Sequence, residues 1–210
     1  MALEGRVALV TGGAGYLGSA VTKRLLADGA RVVACERSQE RLDALAEELG
    51  APEALSTIAC DVLVEDEVRQ TVARVHDEHG GPDALLNIVG GFAGGTTVAE
   101  TELAMWERMM ALNLTSVFLC AKHALPLMLD AGFGRIVNIS SKAAEDLPAK
   151  RAAYAVSKAG VLSLTACMAK EVAATGVVTP ERIADVIAWL IGEDAGAING
   201  SVLRLYGELI

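Results

Sequence analysis

Aromatic side chains are scarce in this chain: they make up 4% of it, against 52% hydrophobic residues overall. The core must therefore be built from Ala, Val and Leu, which suits a parallel sheet covered by helices on both faces. Basic residues are short as well, Lys and Arg numbering 18 against 27 Asp and Glu, for a net charge of −9. That balance argues against a surface for nucleic acid or an anionic membrane, since either needs a basic footprint. The four cysteines, Cys35, Cys60, Cys120 and Cys167, lie far apart in apolar stretches with no C-x-x-C pair. They indicate neither a zinc site nor a redox pair, and buried free thiols in a reducing cytoplasm are expected. No run reads as long and uncharged enough for a signal peptide or a membrane span, so the expectation is a soluble cytoplasmic protein. His76 and His79 share a helix face without a third ligand. They read as a solvated pair favoured by the helix dipole, and no metal is expected. With 210 residues, the chain suits one domain, residues 1–210.

What is abundant is glycine, and its placement is informative. The apolar run Val7-Ala8-Leu9-Val10 leads through Thr11 and Gly12 into Gly13, Gly15 and Gly18, with Tyr16 and Leu17 opening an amphipathic stretch. This is strand, turn and helix with G-x-G-x-x-G spacing. The glycines permit a tight turn, let backbone N–H groups approach a pyrophosphate, and allow close packing of helix on strand. The anion would sit on the helix N-terminus.

Helical periodicity then runs from Tyr16 to Asp28, and Arg31 to Cys35 forms the second strand. Glu36 stands at its end, where an acidic side chain accepts hydrogen bonds from the adenosine ribose and repels a 2′-phosphate. Arg37 beside it would instead welcome that phosphate. NAD is the expected cofactor, with NADP as the alternative. Ser38 caps a helix to Gly50, and Glu53 to Cys60 is extended and ends in Asp61-Val62. Asp61 is placed either to bond the adenine amino group or to cap the helix from Glu65 to His79. Ala84 to Val89 is an apolar strand interrupted by Asn87, whose buried amide is expected to tie neighbouring strands. Gly90 and Gly91 follow.

A long helical pattern runs from Thr101, as its cap, to Asp130, disturbed at Pro126. Asn113 lies in its most apolar part and needs either a structural bond or a catalytic water. Gly134 to Ser141 is the next strand, with Ser140 and Ser141 at the carboxyl end where open α/β sheets bind ligands. Ala152 to Thr175 is a helix on which Tyr154 and Lys158 stand at i and i+4, so both project from one face. A phenol is a poor base near neutrality, and an adjacent ammonium favours its ionised form. The pair thus makes a usable general acid/base, with Ser141 placed to bond a substrate carbonyl.

Thr11-Gly12 with the glycine turn, Asp61-Val62, Asn87 with Gly90, Asn113, Ile136 to Ser141 and Tyr154-Ala155-Val156-Ser157-Lys158 together resemble the short-chain dehydrogenases/reductases over nearly the whole chain. The resemblance implies a single doubly wound parallel-sheet domain, a Rossmann fold. It implies a catalytic tetrad of Asn113, Ser141, Tyr154 and Lys158, with a water relay behind the lysine. The cofactor would be held by Thr11, Gly12, Gly13, Gly15, Tyr16, Leu17, Gly18, Glu36, Arg37, Asp61, Val62, Asn87, Gly90, Tyr154 and Lys158. The activity implied is NAD(P)-dependent interconversion of an alcohol and a carbonyl compound, in a homotetramer or homodimer. A catalytically silent dinucleotide-binding subunit is the competing class, and an epimerase or dehydratase of the longer branch a third.

Three departures stand out. The glycine turn resembles the longer, epimerase-like branch, and Ile88-Val89 replace the Asn-Ala that usually follows the first Asn of the Asn-Asn-Ala-Gly motif. The third lies after Gly176, where only Val177-Val178 precede a new helix signal at Thr179-Pro180-Glu181. The family pattern places a sixth strand and a substrate loop there, and both are missing. Crossing the sheet from one helix layer to the other needs about 20 Å, which a few peptide links cannot span. A segment omitted from the continuous numbering is therefore expected, the alternative being a truncated variant without a substrate lid.

Overall fold

The computed structural model describes residues 3–172 and Ile187. The chain divides into two compact units, and the first, Met1–Ala166, holds the sheet. Strands β1 (Val7–Thr11), β2 (Arg31–Glu36), β3 (Leu55–Ala59), β4 (Ala84–Asn87) and β5 (Arg135–Asn138) alternate with helices α1 (Tyr16–Ala27), α2 (Gln39–Glu48), α3 (Glu65–His79), α4 (Leu103–Met110), α5 (Ser116–Asp130), a single turn α6 (Ala143–Asp146) and α7 (Ala152–Val172). All strand pairs are parallel, in the order β3-β2-β1-β4-β5. The order reverses at β1, which has β2 on one side and β4 on the other. In such sheets the crevice beyond the carboxyl ends of the strands at the reversal is where ligands bind.

The alternation of side chains along each strand sorts the core into two layers. From β1 and β2, Val7, Leu9, Val33 and Cys35 pack with Val68, Val72 and Val75 of α3 and with Leu119, Cys120, Ala124 and Met128 of α5. The intervening Val10 and Val32 pack on the other face with Leu25 and Leu26 of α1, and Ala34 packs there with Leu42 and Leu45 of α2. Both faces of the central strands are covered, so β1 is buried at every residue and its sequence shows no polar alternation. The doubly wound sheet expected from the sequence is therefore present through β5.

Asn87 behaves as its burial demands. Its amide donates to Asn138 Oδ1 at 2.8 Å, and the Asn138 amide donates in turn to Thr165 Oγ1 at 2.9 Å. β4, β5 and α7 are joined by one chain of side-chain bonds.

Several boundaries differ from the sequence reading. Three strands are shorter than their apolar runs: β3, β4 and β5 stop at Ala59, Asn87 and Asn138, and the following residues lead into loops at the carboxyl edge of the sheet. Thr101 does not cap the long helix. Its hydroxyl donates to Thr97 O at 2.8 Å, closing a 3₁₀ turn over Val98–Glu100, and α4 begins only at Leu103 after Glu102. The disturbance expected at Pro126 falls instead around Asn113, where the helix widens to a π turn over Ala111–Thr115 while α5 runs through the proline.

Cys35, Cys60 and Cys120 are buried free thiols, but Cys167 is exposed, in a part of α7 where no residue after Val161 is buried. Burial pushes the Cys120 thiol up to about 12, which makes it a packing group. The reading that no stretch reaches the length and hydropathy of a membrane span also fails on composition. Leu103–Asp130 and Ala152–Val172 both reach it, with mean hydropathy 1.3. In the first of these the apolar residues of α5 that raise the hydropathy, among them Leu119 and Ala124, are packed against the sheet. The expected break between Gly176 and Thr179 lies outside the described residues.

Candidate active site

The turn after β1 is shaped by backbone. Gly12 takes φ +68°, and its carbonyl accepts the Gly15 N–H at 2.8 Å. A Cβ added to Gly18 would stand 1.9 Å from that same carbonyl oxygen, so α1 can start here only with glycine at its third residue. Gly13 is as confined, a Cβ there meeting the Ala34 methyl at 2.8 Å. The first bond of α1 is Ser19 N–H to Gly15 O at 2.8 Å, and no side chain caps the helix. The N–H groups of Tyr16, Leu17 and Gly18 therefore precede any intrahelical partner, and the side chains of Tyr16 and Leu17 are exposed. A cradle of uncapped donors at a helix N-terminus fits a pyrophosphate. Thr11 works behind it: its hydroxyl donates to Leu86 O at 3.3 Å and accepts the Ile88 N–H at 3.2 Å, holding the end of β1 to the exit of β4.

At the end of β2, the Glu36 carboxylate accepts the Arg37 N–H at 2.9 Å and lies 3.5 Å from Arg41 Nη1. Arg41 also donates to Ala14 O at 3.1 Å, spanning from α2 back to the glycine turn. Arg37 Nη1 is 3.9 Å from Asp61 Oδ2, while Asp61 Oδ1 accepts the Leu63 N–H at 3.0 Å and so caps the turn before α3. Val62 is a core residue. The sequence reading did not single out Arg41. Its only signal was position, in the first turn of a helix capped by Ser38, from which a long side chain can reach back over Glu36.

The opposite end of the crevice is organised by Asn113, which is fully buried. Its Oδ1 accepts the Gly91 N–H at 2.8 Å, and its amide donates to Gly91 O and to Ser157 Oγ, each at 3.0 Å. The structural bond, one of the two roles open to this residue, is thus made by the side chain. Gly90 sits between functional groups, a Cβ there meeting Asn113 Oδ1 at 3.0 Å and Lys158 Nζ at 3.2 Å. Lys158 is 5% exposed and donates to Ile139 O at 2.7 Å. Its burial pulls the ammonium below the ordinary lysine value. Ser140 Oγ fixes the same turn of α7 by donating to Lys158 O at 2.9 Å. Ser141, just past β5, accepts the Ala143 N–H at 3.2 Å and keeps its own proton to donate.

One helical turn before Lys158, the Tyr154 ring meets Phe92 edge to face, centroids 5.0 Å apart. Its hydroxyl has no hydrogen-bond partner among the described residues. Phe92 and Ser157 were not singled out from sequence. Ser157 lies inside the Tyr-x-x-x-Lys spacing, and Phe92 is one of only three phenylalanines, placed directly after a glycine pair. The structure thus gathers Gly90, Asn113, Lys158 and Tyr154 at one end of the crevice, with Ser141 on the adjoining loop, and Glu36, Arg37 and Asp61 at the other.

The short chain dehydrogenase model matches residues 6–184. The chain is 29% identical to a 3-oxoacyl-(acyl-carrier-protein) reductase of Thermotoga maritima over 246 residues, covering 100% of each. It is 36% identical to a D-threitol dehydrogenase of Mycolicibacterium smegmatis, over 83% of this chain and 67% of that one. Another relative, from Streptomyces violaceoruber, is 38% identical, and the chain spans 64% of its length. Against the full-length Thermotoga match this chain of 210 residues is shorter by a few tens of positions, and the difference is internal. Among solved structures, a metagenomic short-chain oxidoreductase in complex with NADP superposes with TM-score 0.77 at 33% identity, over 90% of this chain and 91% of that one. An NAD+-bound xylitol dehydrogenase gives 0.76 at 30%, over 81% and 66%.

The burial of Lys158 makes a signed prediction. Its folded-state value lies below the ordinary 10.5, so between the two the unfolded chain holds more protons, and stability rises with pH. In cofactor-free protein, the unfolding free energy of wild type relative to Lys158→Met should climb as pH approaches 10.5, in urea titrations. A difference that stays flat would show that the ammonium is not desolvated.

Proposed function

Because the chain belongs to the short-chain dehydrogenase/reductase family, we propose that it interconverts an alcohol and a ketone or aldehyde with a nicotinamide dinucleotide, Tyr154 exchanging the proton with the substrate oxygen. The observation that carries this reading is the pairing of Tyr154 with Lys158 one turn away, the lysine buried beside Gly90 and Asn113. A bound nicotinamide supplies the carrier for the two electrons. The chain's own residues do the rest. The glycine turn and the N–H groups of Tyr16, Leu17 and Gly18 hold the pyrophosphate. Ser141 donates to the carbonyl oxygen, and Tyr154 gives up or takes the proton there. The Lys158 ammonium favours the charge that develops on the phenol oxygen. Asn113 positions the set by fastening the Gly91 loop to α7 through Ser157.

A silent dinucleotide-binding subunit is the second reading, favoured by the internal shortening against the full-length relatives. Tyr154→Phe separates the two. For the enzyme, reduction of a carbonyl panel followed by NADH or NADPH oxidation should fall about 100-fold or more in the variant, with cofactor affinity within about twofold of wild type. Turnover indifferent to the substitution would overturn the catalytic role.

NAD(H) is the preferred cofactor in this reading, since the Glu36 carboxylate stands where a 2′-phosphate would be repelled. The nearness of Arg37 and Arg41 means that Glu36→Gln should raise NADP(H) affinity about tenfold and lower that for NAD(H). Fluorescence titration of both cofactors tests this, and tighter NADP(H) binding by the wild type would reassign the site to the arginines.

The cell compartment in this reading is the cytoplasm, supported by the free thiols of Cys35, Cys60 and Cys120. The assembly is a homotetramer or homodimer, supported by exposed Phe118 and Leu129 on α5 and Val156 and Leu162 on α7, an apolar surface that a second copy would cover. Light scattering at micromolar concentration should give a dimer or tetramer, and a monomer would refute the assembly.

A further inference from the structure

Phe92 is 60% exposed, yet both of its neighbours are defined. One side of the ring meets Tyr154 edge to face at 5.0 Å, and the Arg151 guanidinium carbon lies 5.3 Å from its centroid. The guanidinium is thus no farther from the Tyr154 ring than these two steps combined. The loop that presents Phe92 is fastened to the Arg151 side by backbone: Gly95 N–H donates to Lys150 O at 2.7 Å. Gly94 is wedged so tightly that a Cβ would come to 3.2 Å from both Arg151 Cγ and Phe92 Cζ. An exposed aromatic face beside the proton donor is therefore built into the wall of the site, with a cation attached to it.

The charge on that wall is unspent. Arg6, Arg24, Arg37, Arg41, Arg69 and Arg74 each lie within 4.0 Å of a carboxylate, Arg31 and Arg135 donate to backbone carbonyls, and Arg108 has no carboxylate partner among the described residues. Arg151 has no carboxylate partner among the described residues and rests only on the Phe92 ring. A guanidinium that stands over an aromatic face with no carboxylate engaged has its N–H fork available for a planar or tetrahedral oxyanion.

Resting on the alcohol/carbonyl reading above, we propose that Phe92 and Arg151 select the substrate class: an oxo compound whose short carbon chain lies on the Phe92 ring beside Tyr154 and whose anionic group, carboxylate or phosphate, pairs with Arg151. Neutral ketones meet the ring but leave the guanidinium without a partner. Arg151 is a specificity residue in this proposal and takes no part in proton transfer.

The test uses the full chain with saturating NADH, or NADPH if that binds more tightly. Two matched pairs are compared, 3-oxobutanoate with its methyl ester and hydroxyacetone phosphate with hydroxyacetone, so that carboxylate and phosphate are read separately. In at least one pair the anion should be favoured in kcat/KM by about tenfold or more, a charge-assisted pair being the difference. Arg151→Gln should lower kcat/KM for the favoured anion about tenfold more than for its neutral partner, chiefly through KM. Arg151→Lys should recover part of the preference, and raised salt should erode it in the wild type. Equal effects of Arg151→Gln on both members, or no preference for an anion in either pair, overturn the inference. If neutral carbonyls of the wider panel are turned over and these anions are not, the inference fails and the activity stands. If nothing is turned over while the dinucleotide binds, the activity reading fails and takes the inference with it.

Discussion

The site depends first on the buried amide of Asn113. A fully desolvated amide costs free energy unless its donors and acceptor are all used, and here they bind Gly91 on both its N–H and its carbonyl and Ser157 on its hydroxyl. Gly91 belongs to the loop leaving β4, and Ser157 sits between Tyr154 and Lys158 on α7. One side chain therefore sets the spacing between the strand end that faces a cofactor and the helix that carries the proton donor. The π turn over Ala111–Thr115 is the local adjustment that accompanies it. Widening a helix weakens its own ladder, and such turns are found where a side chain has to be aimed.

Lys158 is held by the same joint. Its ammonium is buried against Gly90 and bonded to Ile139 O, and burial makes its charge costly. That cost is useful for proton transfer, since a cation in a poorly solvated place acts on a neighbouring phenol more strongly than one in water. At the other end of the crevice the opposite strategy applies. Glu36, Arg37, Arg41 and Asp61 form a loose network of contacts from 2.9 to 3.9 Å, with the arginines more than half exposed. Charges held so loosely can rearrange, and in the proposed reading it is the balance among them, not one fixed bond, that sets cofactor preference.

Much of this was legible in the sequence because it rests on local rules. The glycine turn, the strands and the helix carrying Tyr154 and Lys158 follow from periodicity and spacing, and α3 begins and ends at the expected Glu65 and His79. Asn87 was legible as a tie because a buried amide must bond something. What escaped was set by tertiary contacts. Nothing local tells that Thr101 would turn back to Thr97 and leave the cap to Glu102, that the helix would widen around Asn113 and not at Pro126, or that the Arg41 side chain would reach back to Ala14. Nor does periodicity separate a long apolar helix packed on a sheet from one in a bilayer, since the difference lies in what surrounds it.

The distribution of the site along the chain bears on substrate recognition. Every residue proposed for cofactor binding or proton transfer lies between Thr11 and Lys158, from the end of β1 to α7. None of them comes from the stretch after Gly176. In the proposed reading, recognition draws on the loops that follow β4 and β5 at the carboxyl edge of the sheet. These are the loops that bring Phe92, Ser141 and Arg151 to Tyr154. In the proposed reading the substrate is selected by directional contacts there, the cation over Phe92 among them.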